Sequence, residues 1–314
     1  MNALPGPVRA VLPALALALA ATLGAQAQRE RGQFRAEVNL VNVFVSVLDA
    51  GGRPVVGLPA EVFELFEEGR QQKIELFEPE TSQPLDLALM TDASLSTLKE
   101  LRFEQEAAAH FIRQVVRPGD RLAVFQFSDA IVQLSEFSDQ VAKLQAAVRG
   151  IEPGAGTALY DAVYLGAQAL EQRPLGRRRV IVLLTDAGET TSAANFDQAR
   201  RAAVRAGVLL YTVLIRPVKS ESGRNTAGEH ALITITDVTG GAMFIPDDIA
   251  ELGEIFDRID RELRTQYRLG YYPAPRPAPA SFRRLEVRLK QDSPAGAAWQ
   301  VRYRRGYYAA DREP

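Results

Sequence analysis

The sequence predicts a doubly wound α/β domain on a mostly parallel sheet with one antiparallel edge strand. A small β module, built from the N- and C-terminal segments, accompanies it. Three observations carry that expectation. Apolar runs at Leu85–Asp92, Arg179–Asp186 and Val208–Ile215 read as buried strands, and the first two end in an aspartate. Segments with helical periodicity separate them, which is the strand–helix alternation of a parallel sheet. Alternating apolar and polar residues at about 36–79 and again at 282–308 read as half-buried strands flanking that core.

The elements follow in order. Residues 1–27 stand apart as a leader. Arg9 provides positive charge, Ala10–Leu23 is apolar, and Ala25-Gln26-Ala27 has the small-x-small form of a signal-peptidase site. The apolar run is short for a membrane span. The expectation is therefore a secreted or periplasmic protein cleaved after about Ala27, with a retained anchor as the alternative. No later segment reaches transmembrane length. The chain contains no cysteine, which removes disulfides, thiolate metal sites and a lipid-modified cysteine. With 314 residues, 46% of them apolar, it has material for one large domain and a small one. The formal net charge of −2 and the lack of a basic stripe argue against nucleic acid as a partner. The short clusters Arg177-Arg-Arg179 and Arg302-Tyr-Arg-Arg305 read as solvated element ends.

Residues 28–82 hold a polar linker and the N-terminal part of the β module. Within it, Asp49–Pro54 is a tight turn, and Phe63–Glu67 and Lys73–Phe77 flank Glu68-Gly69-Arg70 as a hairpin. Residues 83–270 form the α/β domain. A helix is predicted over 98–116, with Leu101, Ala108, Phe111, Ile112 and Val115 on one stripe. Leu122–Phe127 and Ile131–Leu134 form the antiparallel hairpin. Helices follow at about 139–149, 158–172 and 194–206. The stretch 216–229 reads as a polar surface loop. A helix at 230–239, a strand at 242–245 and a closing helix at 249–267 complete the domain. Tyr267–Tyr272 reads as a short strand, and residues 271–314 form the C-terminal β segment. Phe282–Leu289 and Trp299–Tyr308 are its paired strands, returning to pack with residues 36–79.

The chemistry concentrates where the first buried strand ends. Asp92, Ser94 and Ser96 alternate there and present one carboxylate and two hydroxyls, hard oxygen donors suited to magnesium, manganese or calcium. Taken alone, that spacing also fits an ordinary turn after a strand. Two further segments reinforce the metal reading. Gly154-Ala-Gly-Thr157 is a glycine-loosened loop placing Thr157 just before a helix, and the strand from Arg179 ends in Asp186. Three segments thus deliver oxygen donors to one sheet edge, the edge where ligands of open α/β sheets bind.

In this order and spacing, the five positions resemble the metal-ion-dependent adhesion site of von Willebrand factor A domains, over roughly residues 83–270. The flanking segments resemble, more loosely, a group of secreted bacterial proteins common in Acidobacteria. The resemblance implies a Rossmann-like fold. It also implies that Ser94 and Ser96 ligate the cation directly, Thr157 directly or through water, and Asp92 and Asp186 largely through water. The expected cofactor is Mg2+, with Mn2+ or Ca2+ as alternatives. The expected partner is a protein that supplies an Asp or Glu carboxylate to the metal, so the implied function is cation-dependent adhesion. A structural scaffold with a stabilising metal, or a metal-dependent hydrolase, are the other readings. Leu95 and Thr97 depart from the small residue and the methionine common at those positions, and Ala187-Gly188 follows Asp186 where glycine usually comes directly. Glu189 reads as a loop bystander or an extra carboxylate near the metal. Asp161 reads as a favourable charge at a helix amino end, and Asp129 as a turn residue. Catalysis is not expected. His110 and His230 neighbour no candidate nucleophile, and no nucleophile elbow, paired-histidine zinc motif or phosphate loop is present.

Overall fold

The computed structural model describes residues 40–95, 101–215, 225–290 and 299–309. The leader, the linker, Ser96, Thr97 and most of the polar stretch after Ile215 lie outside them.

The described chain opens with β1 (Val41–Leu48), β2 (Phe63–Glu67), β3 (Arg70–Gln72) and β4 (Leu76–Glu78). After β1, the Asp49 carboxylate accepts the backbone N–H groups of Gly51 and Arg53 at 2.8 and 3.0 Å and closes the expected turn. The hairpin forms, but not with the predicted partner: β2 pairs with Arg70–Gln72 rather than Lys73–Phe77. Glu68 and Gly69 both adopt positive φ, at 49° and 76°. A two-residue turn of that kind starts the return strand immediately after Gly69. Leu76–Glu78 is left to join a different sheet.

The α/β domain comprises β5 (Leu85–Asp92), α1 (Leu101–Val115), β6 (Arg121–Phe127), β7 (Ile131–Gln133), α2 (Val141–Arg149), α3 (Leu159–Glu171), β8 (Arg178–Thr185), α4 (Phe196–Ala206), β9 (Val208–Leu214), α5 (Thr226–Thr239), β10 (Ala242–Phe244) and α6 (Leu252–Arg264). Its sheet runs β10-β9-β8-β5-β6-β7, parallel except for the antiparallel edge strand β7. Every residue of β5 and β9 is buried, as strands covered on both faces must be. Leu87 and Leu89 face Phe111, Ile112, Phe256 and Ile259 on one side. Ala88 and Met90 face Leu159, Val163, Ala203 and Leu232 on the other. This period of two assigns α1, α2 and α6 to one layer and α3, α4 and α5 to the opposite one. Two element ends differ from expectation. The helix predicted to begin at residue 230 starts at Thr226, because the Asn225 side chain accepts from Gly228 N at 3.1 Å and caps it inside the polar stretch. The closing helix ends at Arg264 rather than reaching Tyr267.

The chain returns through β11 (Tyr267–Tyr271), β12 (Phe282–Leu289), β13 (Gln300–Tyr303) and β14 (Gly306–Tyr308). The module is two four-stranded sheets, β13-β1-β11-β4 and β14-β12-β2-β3, so both terminal segments contribute to each. Phe282–Leu289 and Trp299–Tyr308 were expected as one pair. Instead the second segment splits: β14 pairs with β12, while β13 crosses to β1. The two sheets share a core that includes Val43, Val45, Leu65, Tyr267, Tyr271, Leu285 and Val287. Among the described residues no helix is long and apolar enough to cross a membrane.

Candidate metal centre

The chain leaves β5 toward β6 on one side and leaves β8 toward β9 on the other, so the adjacent carboxyl ends of β5 and β8 form a switch point. A crevice opens outside the sheet at such a point. Asp92 closes β5 and has no exposed surface. Its Oδ1 accepts the Ser94 N–H at 2.9 Å and its Oδ2 accepts the Thr185 hydroxyl at 2.6 Å. Burial pushes the Asp92 pKa up to about 6; the Thr185 and Ser94 donors oppose that rise and the nearby Asp186 charge adds to it.

Backbone bonds stitch the next segments to this one. Gly154 N donates to Ala93 O at 2.7 Å, and Gly154 forms a parallel bridge with Ser94. Glycine is needed there, since a Cβ would lie 2.1 Å from Ser128 Oγ. Thr157 N donates to Thr190 Oγ1 at 2.9 Å, and Thr157 O accepts from Thr190 N at 2.9 Å, locking the second segment to the third. Asp186 is the first residue after β8, and its Oδ1 accepts the Gly188 N–H at 2.8 Å. A Cβ on Gly188 would sit 3.0 Å from Asp186 Oδ1 and 3.1 Å from Thr157 Oγ1. Those two oxygens therefore border one small space, which the missing side chain keeps open. The structure brings Asp92, Ser94, Thr157 and Asp186 onto three mutually hydrogen-bonded segments; Ser96 lies outside the described residues.

Several neighbours have definite tasks. Glu189 is no spare carboxylate: Oε2 accepts from Tyr160 N and Ser192 Oγ, and Oε1 accepts from Ser192 N. It ties the loop after β8 to the amino end of α3. Asp161, in the first turn of α3, accepts from Ala193 N and Ala194 N at 2.9 and 2.7 Å. Its role is to anchor that loop, beyond placing a charge at a helix end. The sequence alone does not point to Thr185, Thr190 and Ser192; the Thr-Asp pair closing an apolar run and the hydroxyl-rich Glu189–Ser192 are the available signals. Leu95 is 60% exposed beside Ser94 and presents an apolar surface there. His110 and His230 are both exposed on helices.

The donor set fits a hard divalent cation. Among the described residues no three His, Cys, Asp or Glu side chains cluster as metal ligands, so a cation here needs hydroxyls as well as the two aspartates. The space at Gly188 is bordered by a carboxylate and a hydroxyl oxygen, donors of the kind such an ion takes.

A family model for the von Willebrand factor type A domain matches residues 87–189, from within β5 to the loop after β8. No curated protein matches the chain. Among solved structures, a von Willebrand factor type A protein from Catenulispora acidiphila is similar with a TM-score of 0.51 at 12% identity, covering 88% of this chain and 76% of that one. BatB from Bacteroides thetaiotaomicron gives 0.46 at 15%, covering 57% and 98%. The pilus adhesin SpaC from Lactobacillus rhamnosus GG gives 0.49 at 9%, covering 82% and 49%. At 12% identity the likeness to the Catenulispora acidiphila protein is one of fold. Strand order, the switch-point geometry and the matched segment agree: the chain carries a von Willebrand factor type A domain, matched over residues 87–189.

Proposed function

We propose that this is an exported protein, secreted or periplasmic, that binds a protein partner through a divalent cation held by Asp92, Ser94, Ser96, Thr157 and Asp186. Magnesium is the first candidate, because a site with few charged ligands suits an ion that keeps several of its waters. The single observation behind the reading is the convergence of Asp92, Ser94, Thr157 and Asp186 at the β5–β8 switch point. The matched domain family supports a protein-interaction role. When bound, a cation in this setting supplies one exchangeable coordination position that a partner's Asp or Glu carboxylate can fill. The chain's own residues do the rest. Thr185 and the Ser94 amide orient Asp92, Gly188 holds Asp186, and Thr190 holds the Thr157 backbone. Leu95 adds an exposed apolar contact beside the carboxylate position.

The loops are already cross-linked by direct hydrogen bonds through Thr157, Glu189 and Asp161. A metal needed only for rigidity would be redundant there, which favours binding over the scaffold reading. Calorimetric titration of magnesium, manganese and calcium into the purified protein, beside Asp92→Ala, tests the proposal. Saturable binding to the wild type that vanishes in a folded Asp92→Ala supports it and licenses a cation-dependent search for the partner. Failure of all three ions to bind withdraws the cation from the proposal and leaves a metal-free interaction domain. Metal-dependent turnover of a hydrolase substrate, lost in Asp92→Ala, would point to catalysis instead.

A further inference from the structure

At the amino ends of the central strands, opposite the Asp92 end, lies a cavity about 320 Å³ in volume and lined by arginines. Three arginines border it, Arg117, Arg178 and Arg264, with one acidic residue, Asp120. It lies where the segment from β4 to β5 passes the end of α6, at the junction of the module and the α/β domain.

The ion pairs around it do not balance. Asp120 Oδ1 accepts from Leu85 N, and its Oδ2 accepts from Arg117 N and from Arg264 Nη2 at 2.7 Å. Asp260 pairs with Arg117 at 3.0 Å and with Arg264 at 3.3 Å. Two carboxylates thus answer two arginines. The third, Arg178, is only 1% exposed. Its donors reach neutral acceptors: Nε to Gln83 O at 3.0 Å, and Nη1 to Gln266 Oε1 at 3.2 Å and to Leu263 O. Nη2 is closed off from solvent and has no acceptor among the described residues. The carbonyl end of α6 offsets part of this charge. Asp120 favours the charged form of Arg178 from nearby, yet both its oxygens are engaged elsewhere. Burial, followed by the neighbouring Arg264 charge, pushes the Arg178 pKa down to about 10. Buried charges in proteins are ordinarily answered by an opposite charge.

We propose that this cavity binds a small tetrahedral oxyanion of the phosphate or sulfate class, with Arg117 and Arg264 as direct donors and Arg178 as the uncompensated charge beneath its floor. The Arg117 side chain is 51% exposed at the mouth, where an anion would compete with Asp260 for its guanidinium. Arginine is the side chain best matched to the oxygens of such an anion. A bound oxyanion would clamp the two segments that connect module and domain. This site is separate from the cation site, at the other end of the same strands.

The test is calorimetric titration of inorganic phosphate into the purified protein in metal-free, phosphate-free buffer. Sodium chloride at matched ionic strength serves as the blank, and Arg117→Gln, Arg178→Gln and Asp92→Ala are run in parallel. Saturable heat in the wild type is expected, unchanged in Asp92→Ala, weakened about tenfold in Arg117→Gln and lost in Arg178→Gln. Sulfate is expected to compete with phosphate, whereas acetate at the same concentration is expected to bind at least about tenfold more weakly. No saturable heat in the wild type overturns the proposal, as does an Arg117→Gln that titrates like the wild type. Equal binding of acetate overturns the tetrahedral assignment. Should Arg178→Gln fail to fold by circular dichroism, the exposed Arg117→Gln decides the matter alone.

Discussion

The Thr185 hydroxyl donates to Asp92 Oδ2 at 2.6 Å across the β5–β8 boundary, and its oxygen also accepts the Ala187 N–H at 3.0 Å. One buried side chain therefore orients the carboxylate that ends β5 and fixes the turn that presents Asp186. Ala187 sits in that turn with a φ of 64°, a conformation non-glycine residues adopt only when held. Thr185→Val keeps the shape and removes both bonds. A loss of about 1–3 kcal/mol is expected in urea unfolding, because a buried acceptor and a buried amide lose their partner. Cation affinity should fall as well, and more at pH 6 than at pH 8, since Asp92 loses a donor that favours its ionised form. Calorimetry at the two pH values checks this, and equal losses at both would refute the assigned role of Thr185.

Asp92 makes the metal-free protein sensitive to pH in an unusual direction. Its folded pKa, about 6, lies above the ordinary 3.8, mainly through burial. Between those values the native state binds the proton more tightly than the unfolded chain does. Stability therefore falls as pH rises through this window, by an amount on the order of 3 kcal/mol when the carboxylate is fully ionised. The penalty is absent below about pH 4 and complete above about pH 7. Asp92→Asn should consequently stabilise the chelator-treated protein at pH 7.5 while abolishing cation binding. Thermal unfolding of both proteins in EDTA, at pH 4.5 and pH 7.5, measures the effect. A mutant no more stable than the wild type at pH 7.5 would rule out the assigned burial cost.

The parts of this architecture that were readable in the sequence are those where one local signal decides the outcome. Leu85–Asp92 and Arg178–Thr185 are apolar runs buried on both faces, and each leads into an aspartate at the sheet's edge. The Leu101–Val115 stripe repeats at helical spacing and covers that sheet. Thr185 is not legible as a site residue, because a β-branched residue at the end of an apolar strand reads as core and its hydroxyl matters only once β8 lies beside β5. The module was harder. Strands as short as Arg70–Gln72 and Gly306–Tyr308 carry no periodicity, so their partners follow from turn geometry and from contacts distant in sequence. The start of α5 is not legible in the sequence because Asn225 is as typical of a loop as of a helix cap.

Gly188 separates space from conformation. Its backbone is not left-handed, so alanine is tolerated by φ, yet the new methyl would lie 3.0 Å from Asp186 Oδ1 and 3.1 Å from Thr157 Oγ1. Both oxygens would have to shift by a few tenths of an ångström, a displacement that matters to an ion with short, fixed oxygen distances. Gly188→Ala should therefore lower magnesium affinity by about tenfold or more while changing stability by less than about 1 kcal/mol. Calcium, which accepts longer and more flexible coordination, should lose less. Parallel magnesium and calcium titrations test the difference, and undiminished magnesium binding would place the cation elsewhere.

Glu262 joins the β module to the sheet that carries the site. From α6 its Oε2 accepts from Arg302 of β13 at 3.0 Å, and its Oε1 accepts the Tyr211 hydroxyl of β9 at 3.2 Å. Both the carboxylate and the tyrosine are buried, and the Glu262 charge adds to the burial that raises the Tyr211 pKa. Glu262→Ala strands a buried phenol and leaves Arg302 without its carboxylate. A loss of about 2–4 kcal/mol is expected, since one partner of a buried network is removed. Glu262→Gln should recover part of it by keeping an acceptor for Tyr211. The connection lies away from the strand ends that hold Asp92 and Asp186, so cation affinity measured below the unfolding transition should remain within about twofold of wild type. If affinity fell together with stability in both variants, the module would be acting on the metal centre, and the link through α6 would have to be read as coupling rather than support.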